Sequence, residues 1–219
     1  SLAKGVSGIR PEIVGMLLSM VNHGIAPVVP RIGSLGASGD LAPLSHMSLA
    51  LLGEGECMMR TDSGWVRTSS VEALSRAGLA PVVLLAKEGL SLINGTSQMC
   101  AYLVITLLNM ERLVMCADAS AACSIEAIKG SHDPFDSRIH QNRPQRGQSI
   151  SAARIFEFVN DSDINESHSN CDRVQDAYCF RCAPQVHGPV IDLITETRRM
   201  LEIEINSATD NPLVFVDND

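Results

Sequence analysis

The sequence predicts a mainly α-helical protein, with long bundled helices at its core, one small β-hairpin and short extended segments. Three observations carry this. Residues 99–129 run without a proline or glycine and are rich in Leu, Ile and Ala, which suits one long helix or two joined end to end. The chain is 45% apolar but only 4% aromatic, so its core must come from Leu, Ile, Val, Ala and Met, which pack helices well. No strand–helix–strand alternation and no internal repeat is visible, which removes the α/β classes.

In chain order, Gly5 and Gly8 break any regular element at the start. Pro11 sits where a first helical residue belongs, and Ile13, Val14, Leu17, Leu18, Met20 and Val21 keep helical spacing up to Gly24. Ala26-Pro27-Val28-Val29-Pro30 is excluded from helix and reads as an extended connector. It leads into Gly33-Ser34-Leu35-Gly36-Ala37-Ser38-Gly39-Asp40. Three glycines in seven residues allow positive φ and close backbone approach. Asp40 opens an apolar run, Leu41 to Leu52, that closes at Gly53. The loop therefore meets a helix N-terminus, whose dipole and free N–H groups favour developing negative charge. The same residues also read as an ordinary helix cap, with Ser38 or Asp40 as the capping group.

Cys57–Arg60 and Trp65–Thr68 flank a turn-rich tetrapeptide and predict the hairpin. Ser69 or Ser70 then caps a short helix ending near Arg76. Asn94-Gly95-Thr96 interrupts the apolar Leu90, Leu92 and Ile93. A glycine inside a helix costs about 1 kcal/mol relative to Ala, so either the long helix starts here, capped by Asn94, or a backbone must approach something. In that long helix the small residues Ala117 to Ser124 suggest close packing, buried on several sides. Gly130 to Gln148 reads as a polar loop, followed by a helix from Ser149 or Ser151 to about Val159. Asn160 to Asn170 is a second loop. Val190 to Ile205 is helical, with Ile191, Ile194, Leu201 and Ile205 on one side, and Asn206 to Asn211 ends it. Leu213–Val216 is short and extended.

The formal charge of −8, with no cluster of Lys or Arg, argues against nucleic acid or an anionic membrane as partner. No apolar run near bilayer-spanning length and no leader is expected. Seven cysteines, an odd and scattered set, fit a reducing compartment, so the expected location is cytoplasmic. Asn94-Gly95-Thr96 and Asn165-Glu166-Ser167 match the glycosylation pattern but read as chance in that setting.

One further stretch offers chemistry. On a helix, Gln175, Tyr178 and Arg181 would share one face, bringing together an amide, a phenol and a guanidinium. A guanidinium fork suits a carboxylate ligand, and a phenol beside it can hydrogen-bond or exchange a proton. The plainer reading is a solvated helix face with one ion pair. His168, Cys171, Cys179, Cys182 and His187 would suffice for zinc. The Cys-x-x-Cys pair shares its segment with Tyr178 and Arg181, however, and has no matching second pair, so no metal is expected. Gly36-Ala37-Ser38-Gly39 lacks the spacing and strand–helix setting of a hydrolase nucleophile elbow. Neither a phosphate loop nor a dinucleotide fingerprint is present.

Four motifs taken together resemble the aromatic amino acid ammonia-lyases. They are Gly36-Ala37-Ser38-Gly39-Asp40-Leu41-Ala42-Pro43-Leu44, Glu88-Gly89-Leu90-Ser91-Leu92-Ile93-Asn94-Gly95-Thr96, Gln175-Asp176-x-Tyr178-x-x-Arg181 and Asn206-Ser207-Ala208-Thr209-Asp210-Asn211-Pro212. They occur in the family's order, and the likeness runs from Ser1 to the end. The segments around Asp172–Tyr178 and Arg181–Gly188 are most similar to the members that act on histidine.

The resemblance implies that Ala37, Ser38 and Gly39 cyclise autocatalytically into a 4-methylidene-imidazol-5-one, an electrophilic prosthetic group that needs no metal or nucleotide. It implies a non-oxidative elimination of ammonia from L-histidine to give trans-urocanate. Tyr178 is then an active-site phenol, Asn94 and Gln175 hydrogen-bond the ring or substrate, Arg181 holds the substrate carboxylate, and Asp40 supports the loop. A phenylalanine or tyrosine lyase or aminomutase is the alternative within the family. A catalytically silent, self-associating helical fragment is the alternative outside it. Family members are longer and form homotetramers whose sites combine several subunits. Residues 1–219 are therefore expected to be a single internal fragment: the prosthetic-group loop and the start of the central helical bundle.

Overall fold

The computed structural model describes residues 1–216 and is mainly helical. The elements are α1 (Pro11–Asn22), β1 (Ile25–Pro27), α2 (Leu41–Leu49), β2 (Glu56–Thr61), β3 (Gly64–Ser69), α3 (Ser70–Arg76), α4 (Glu88–Ile93) and α5 (Ser97–Ala127). They continue with α6 (Ser137–Gln141), α7 (Arg146–Val159), α8 (Asp163–Glu166), α9 (Tyr178–Arg181) and α10 (Ala183–Ile205). Ser1–Tyr102 with Glu202–Asp219 form one compact unit and Leu103–Leu201 a second.

In the first unit the expected hairpin forms, with Cys57 opposite Thr68 and Arg60 opposite Trp65. The connector does more than link. Its start, Ile25–Pro27, adds an antiparallel edge strand, with Ile25 opposite Met59 and Pro27 opposite Cys57. Proline is tolerated there because an edge strand has one unpaired side. Pro11 opens α1 as predicted, and Ser69 caps α3 by accepting from the Glu72 N–H. The core joins Ile13, Met16 and Met20 of α1 to Ile25, Leu51, Cys57, Leu74 and Leu92. Leu18 and Val21, placed on the same helical pattern, stay exposed.

The second unit corrects several expectations. The segment 130–148 is not all loop: it holds a 3-10 turn at Asp133–Phe135 and α6, and α7 begins at Arg146, ahead of Ser149. The 160–170 segment contains α8, capped by the Ser162 hydroxyl. Helix α10 begins at Ala183, seven residues before Val190, with Pro189 inside it. Pro184 suits a first turn, whereas Pro189 deprives the Gln185 carbonyl of its helical donor. Ile205 is exposed, unlike Ile191, Ile194 and Leu201.

Helices α7 and α10 cross where glycines meet, since a Cβ on Gly147 would lie 2.0 Å from the Gly188 oxygen. The core of this unit is Ala122, Ile125, Phe135, Ile155, Val159 and Ala183. Asp118, fully buried, accepts from Ser151 Oγ (2.5 Å) and pairs with His187 Nδ1 (2.8 Å).

The long helix is one helix, α5. It is not buried on several sides: Val114, Asp118, Ala122 and Ile125 mark one covered stripe, while Leu113, Met115 and Cys123 are exposed. It is also long and apolar enough, by length and composition, to cross a bilayer, which corrects the expectation that no run approached that length. The reason is local: residues 97–110 carry no charge. Buried Asp118, hydrogen-bonded to Ser151 and His187, marks a helix packed against protein.

Candidate functional site

In the first unit the glycine loop runs from β1 to α2 with positive φ at Gly33, Gly36 and Gly39. Ala37 and Ser38 are exposed, Gly39 is half-buried and Asp40 is buried. Gly39 forms a parallel bridge with Gly95. At φ +98°, a Cβ on Gly39 would stand 2.4 Å from the Gly95 oxygen. Gly95 is equally constrained, at φ +128° with Thr209 Oγ1 2.9 Å from where its Cβ would be. The glycine in Asn94-Gly95-Thr96 therefore marks a close backbone approach.

Asn94 does not cap the long helix. It ends α4 in an extended conformation, and its side chain bridges two segments. Asn94 Nδ2 donates to the Asn211 carbonyl at 2.7 Å, and Asn94 Oδ1 accepts from Ser38 Oγ at 3.3 Å. Asp40 is no side-chain cap for its own helix either. Its backbone carbonyl accepts from Leu44 N, while its carboxylate accepts from Ser34 Oγ (2.5 Å) and from Met99 N (3.0 Å) in the first turn of α5. One buried carboxylate thus ties the glycine loop to a helix N-terminus, where negative charge is favoured.

The 206–212 turn is bound just as firmly. Thr96 N donates to Thr209 Oγ1, and Thr96 Oγ1 donates to Glu204. Asp210, its side chain fully buried, pairs with Lys87 Nζ at 3.0 Å and accepts from Ser7 Oγ at 3.1 Å. Nearby, Glu88 is buried and takes hydrogen bonds from Arg10 Nε (2.7 Å), Arg10 Nη2 (2.9 Å) and Leu85 N (2.6 Å). The Arg10 guanidinium holds this carboxyl down to about 2 against the opposing effect of burial.

In the second unit, Gln175, Tyr178 and Arg181 line an open cavity of about 700 Å³. They do not share a helix face, because only Tyr178–Arg181 is helical and Gln175 precedes it in irregular chain. Arg181 is half-buried: its Nε donates to the Asp176 carbonyl at 2.9 Å, and its guanidinium carbon lies 5.5 Å from the Tyr178 ring centre. Among the described residues its two terminal nitrogens meet no hydrogen-bond acceptor. They are left open to a carboxylate-sized anion. Asp176 is engaged elsewhere, accepting from Ser131 N and pairing with Arg173.

Ala37, Ser38, Gly39, Asp40 and Asn94 are thus brought together in one unit, and Gln175, Tyr178 and Arg181 in the other. Lys87, Thr209, Asp210 and Asn211 are not among the site residues expected from the sequence. Asn206–Pro212 was nonetheless one of the four motifs behind the resemblance, whereas Lys87 left no signal at all.

The whole chain, residues 1–219, matches the family described as aromatic amino acid lyase. The histidine ammonia-lyase of Stigmatella aurantiaca is 51% identical, over 100% of this chain and 42% of that protein. Among solved structures, the histidine ammonia-lyase of Trypanosoma cruzi superposes with a TM-score of 0.82 at 37% identity, covering 98% of this chain and 38% of that one. The phenylalanine ammonia-lyase of Rhodosporidium toruloides superposes with a TM-score of 0.88 at 31% identity, covering 98% of this chain and 33% of that one. The chain therefore spans well under half the length of these relatives.

Proposed function

The chain belongs to the aromatic amino acid lyase family, and on that premise we propose that the full-length protein eliminates ammonia from L-histidine to give trans-urocanate, using a methylidene-imidazolone made from Ala37, Ser38 and Gly39. The observation that carries this reading is the loop itself. The Ser38 hydroxyl is held at Asn94, and Gly39 lies against the Gly95 backbone in a space that no side chain could share.

Ring formation balances within these three residues. The Gly39 nitrogen attacks the Ala37 carbonyl carbon. The Ala37 oxygen leaves as water with the protons of the Gly39 and Ser38 nitrogens. The Ser38 hydroxyl leaves as a second water with the Ser38 α-hydrogen, which creates the exocyclic double bond. The finished group supplies an electrophilic methylene carbon. Asn94 would hydrogen-bond that group. The open guanidinium of Arg181 binds the substrate carboxylate, Gln175 hydrogen-bonds the substrate, and the Tyr178 phenol, stacked beside Arg181, is the group that can exchange a proton. Self-association completes the site, as the resemblance to a tetrameric family implies. Exposed Ile105, Leu108, Leu113 and Met115 along α5 support it. The 51% identity to the Stigmatella aurantiaca histidine ammonia-lyase favours histidine.

The test is the intact mass of the full-length protein, with deamination assays on histidine, phenylalanine and tyrosine side by side. A chain two waters lighter, with turnover of histidine foremost, is the expected result. Ser38→Ala should leave the mass unshifted and abolish turnover while the oligomer persists. Deamination surviving in Ser38→Ala would remove the reading.

A further inference from the structure

We propose that the Lys87–Asp210 ion pair is a positioning device for Asn94, deciding which end of its amide faces Ser38 and so orienting the hydroxyl that leaves as the second water. The inference rests on the reading above that Ala37-Ser38-Gly39 cyclises.

An asparagine amide has a donor end and an acceptor end, and its neighbours choose between them. The Asn211 carbonyl can only accept, so it selects the Asn94 Nδ2 at 2.7 Å. That leaves Oδ1, which can only accept, facing the Ser38 hydroxyl at 3.3 Å. The hydroxyl that is to leave is thereby held as a donor in one orientation. Everything depends on where the Asn211 carbonyl stands.

Its place is set by the residue before it. Asp210 is anchored through Oδ2 on Lys87 Nζ and through Oδ1 on Ser7 Oγ. Lys87 spends its remaining protons on the Ser7 carbonyl (2.8 Å) and Ser91 Oγ (3.0 Å), so all three donors of the ammonium are engaged. To reach them its backbone takes φ +75°, a conformation rarely adopted by a residue with a Cβ. Strain of this kind persists only where the surroundings over-determine it. Thr209 is fixed as well, through Ser1 Oγ and the N–H of Thr96. The relay is therefore Lys87 to Asp210, Asp210 to the adjoining Asn211 carbonyl, that carbonyl to Asn94, and Asn94 to Ser38. Among the described residues, neither charged residue hydrogen-bonds to the ring precursor.

The experiment compares the full-length protein with its Lys87→Met, Asp210→Asn and Ser7→Ala variants, reading the fraction of chains two waters lighter by intact mass at intervals after synthesis. Thermal unfolding is followed in parallel. Glu88→Gln serves as the control, since it removes the neighbouring ion pair of buried Glu88 with Arg10, which lies outside the relay. Lys87→Met and Asp210→Asn are expected to slow maturation tenfold or more, and Ser7→Ala a few-fold. Glu88→Gln should lower the melting temperature yet mature fully. Should the charge variants not fold, Ser7→Ala decides.

Normal maturation in a folded relay variant would overturn the proposal. So would a loss in Glu88→Gln as large as in Lys87→Met at equal melting temperature. If the unmutated protein itself carried no mass deficit, the ring reading would fail first, which separates the two failures.

Discussion

A Cβ on Gly39 would stand 2.4 Å from the carbonyl oxygen of Gly95 and 2.6 Å from its nitrogen. The glycine loop and the turn after α4 therefore touch backbone to backbone. Gly39→Ala must push them apart and also force a side chain into φ +98°, a strain of about 1–3 kcal/mol before any clash is counted. The variant is expected to unfold at a lower temperature and to carry no mass deficit of two waters. Full maturation in Gly39→Ala would show that the close approach is dispensable.

Asp40 serves a helix that is not its own. Its carboxylate accepts from Met99 N in the first turn of α5 and from Ser34 Oγ in the loop. Asp40→Ala removes an N-terminal cap and leaves a donor unsatisfied, at an expected cost of about 1–2 kcal/mol in urea unfolding. Asp40→Asn keeps an acceptor and should recover part of that. A loss of only a few tenths in Asp40→Ala would argue against capping.

Arg181 is anchored by one nitrogen and presents two. Arg181→Ala in the full-length protein should raise the KM for the amino acid by roughly 10- to 100-fold, the worth of a charge-assisted pair, with a smaller change in kcat. Arg181→Lys keeps the charge but loses the fork and should recover only part of the binding. An unchanged KM would place carboxylate binding elsewhere.

Glu88 sets an acid limit on the first unit. The Arg10 hydrogen bond, aided by the Leu85 and Arg10 N–H groups, lowers its carboxyl from 4.5 to about 2. A folded value below the unfolded one means that the unfolded chain binds more protons in between. The stabilisation is therefore fully present above about pH 5 and is lost as pH falls towards 2. Glu88→Gln should lower stability at neutral pH and flatten its decline between pH 5 and 2. Parallel curves for the two proteins would show that this pair is not the titrating element.

Much of the fold was legible because it is local. A proline-free and glycine-free stretch rich in Leu, Ile and Ala makes α5, and the 61–64 turn makes the hairpin. Pro11 and Ser69 open helices by geometry that reaches only a few residues. Local rules misled where short and long range compete. The three-residue spacing of Gln175, Tyr178 and Arg181 suggested a shared helix face, yet only four residues there are helical. The helix expected from Val190 starts at Ala183 instead, accommodating both Pro184 and Pro189. The small residues Ala117 to Ser124 of α5 suggested burial on several sides, but the chain itself covers only one stripe.

The glycine loop was legible in the sequence because positive φ and close approach are properties of glycine itself. What that loop meets was decided by tertiary structure alone. Asp40 finds Met99 across 59 positions, and Asn94 finds the Asn211 carbonyl across 117. A hydrogen bond records only where two groups stand in space, and spacing along the chain speaks for neighbours within a turn or two of helix or strand. Motifs along the chain pointed to the segments of interest; the folded chain determined which end of the Asn94 amide faces Ser38.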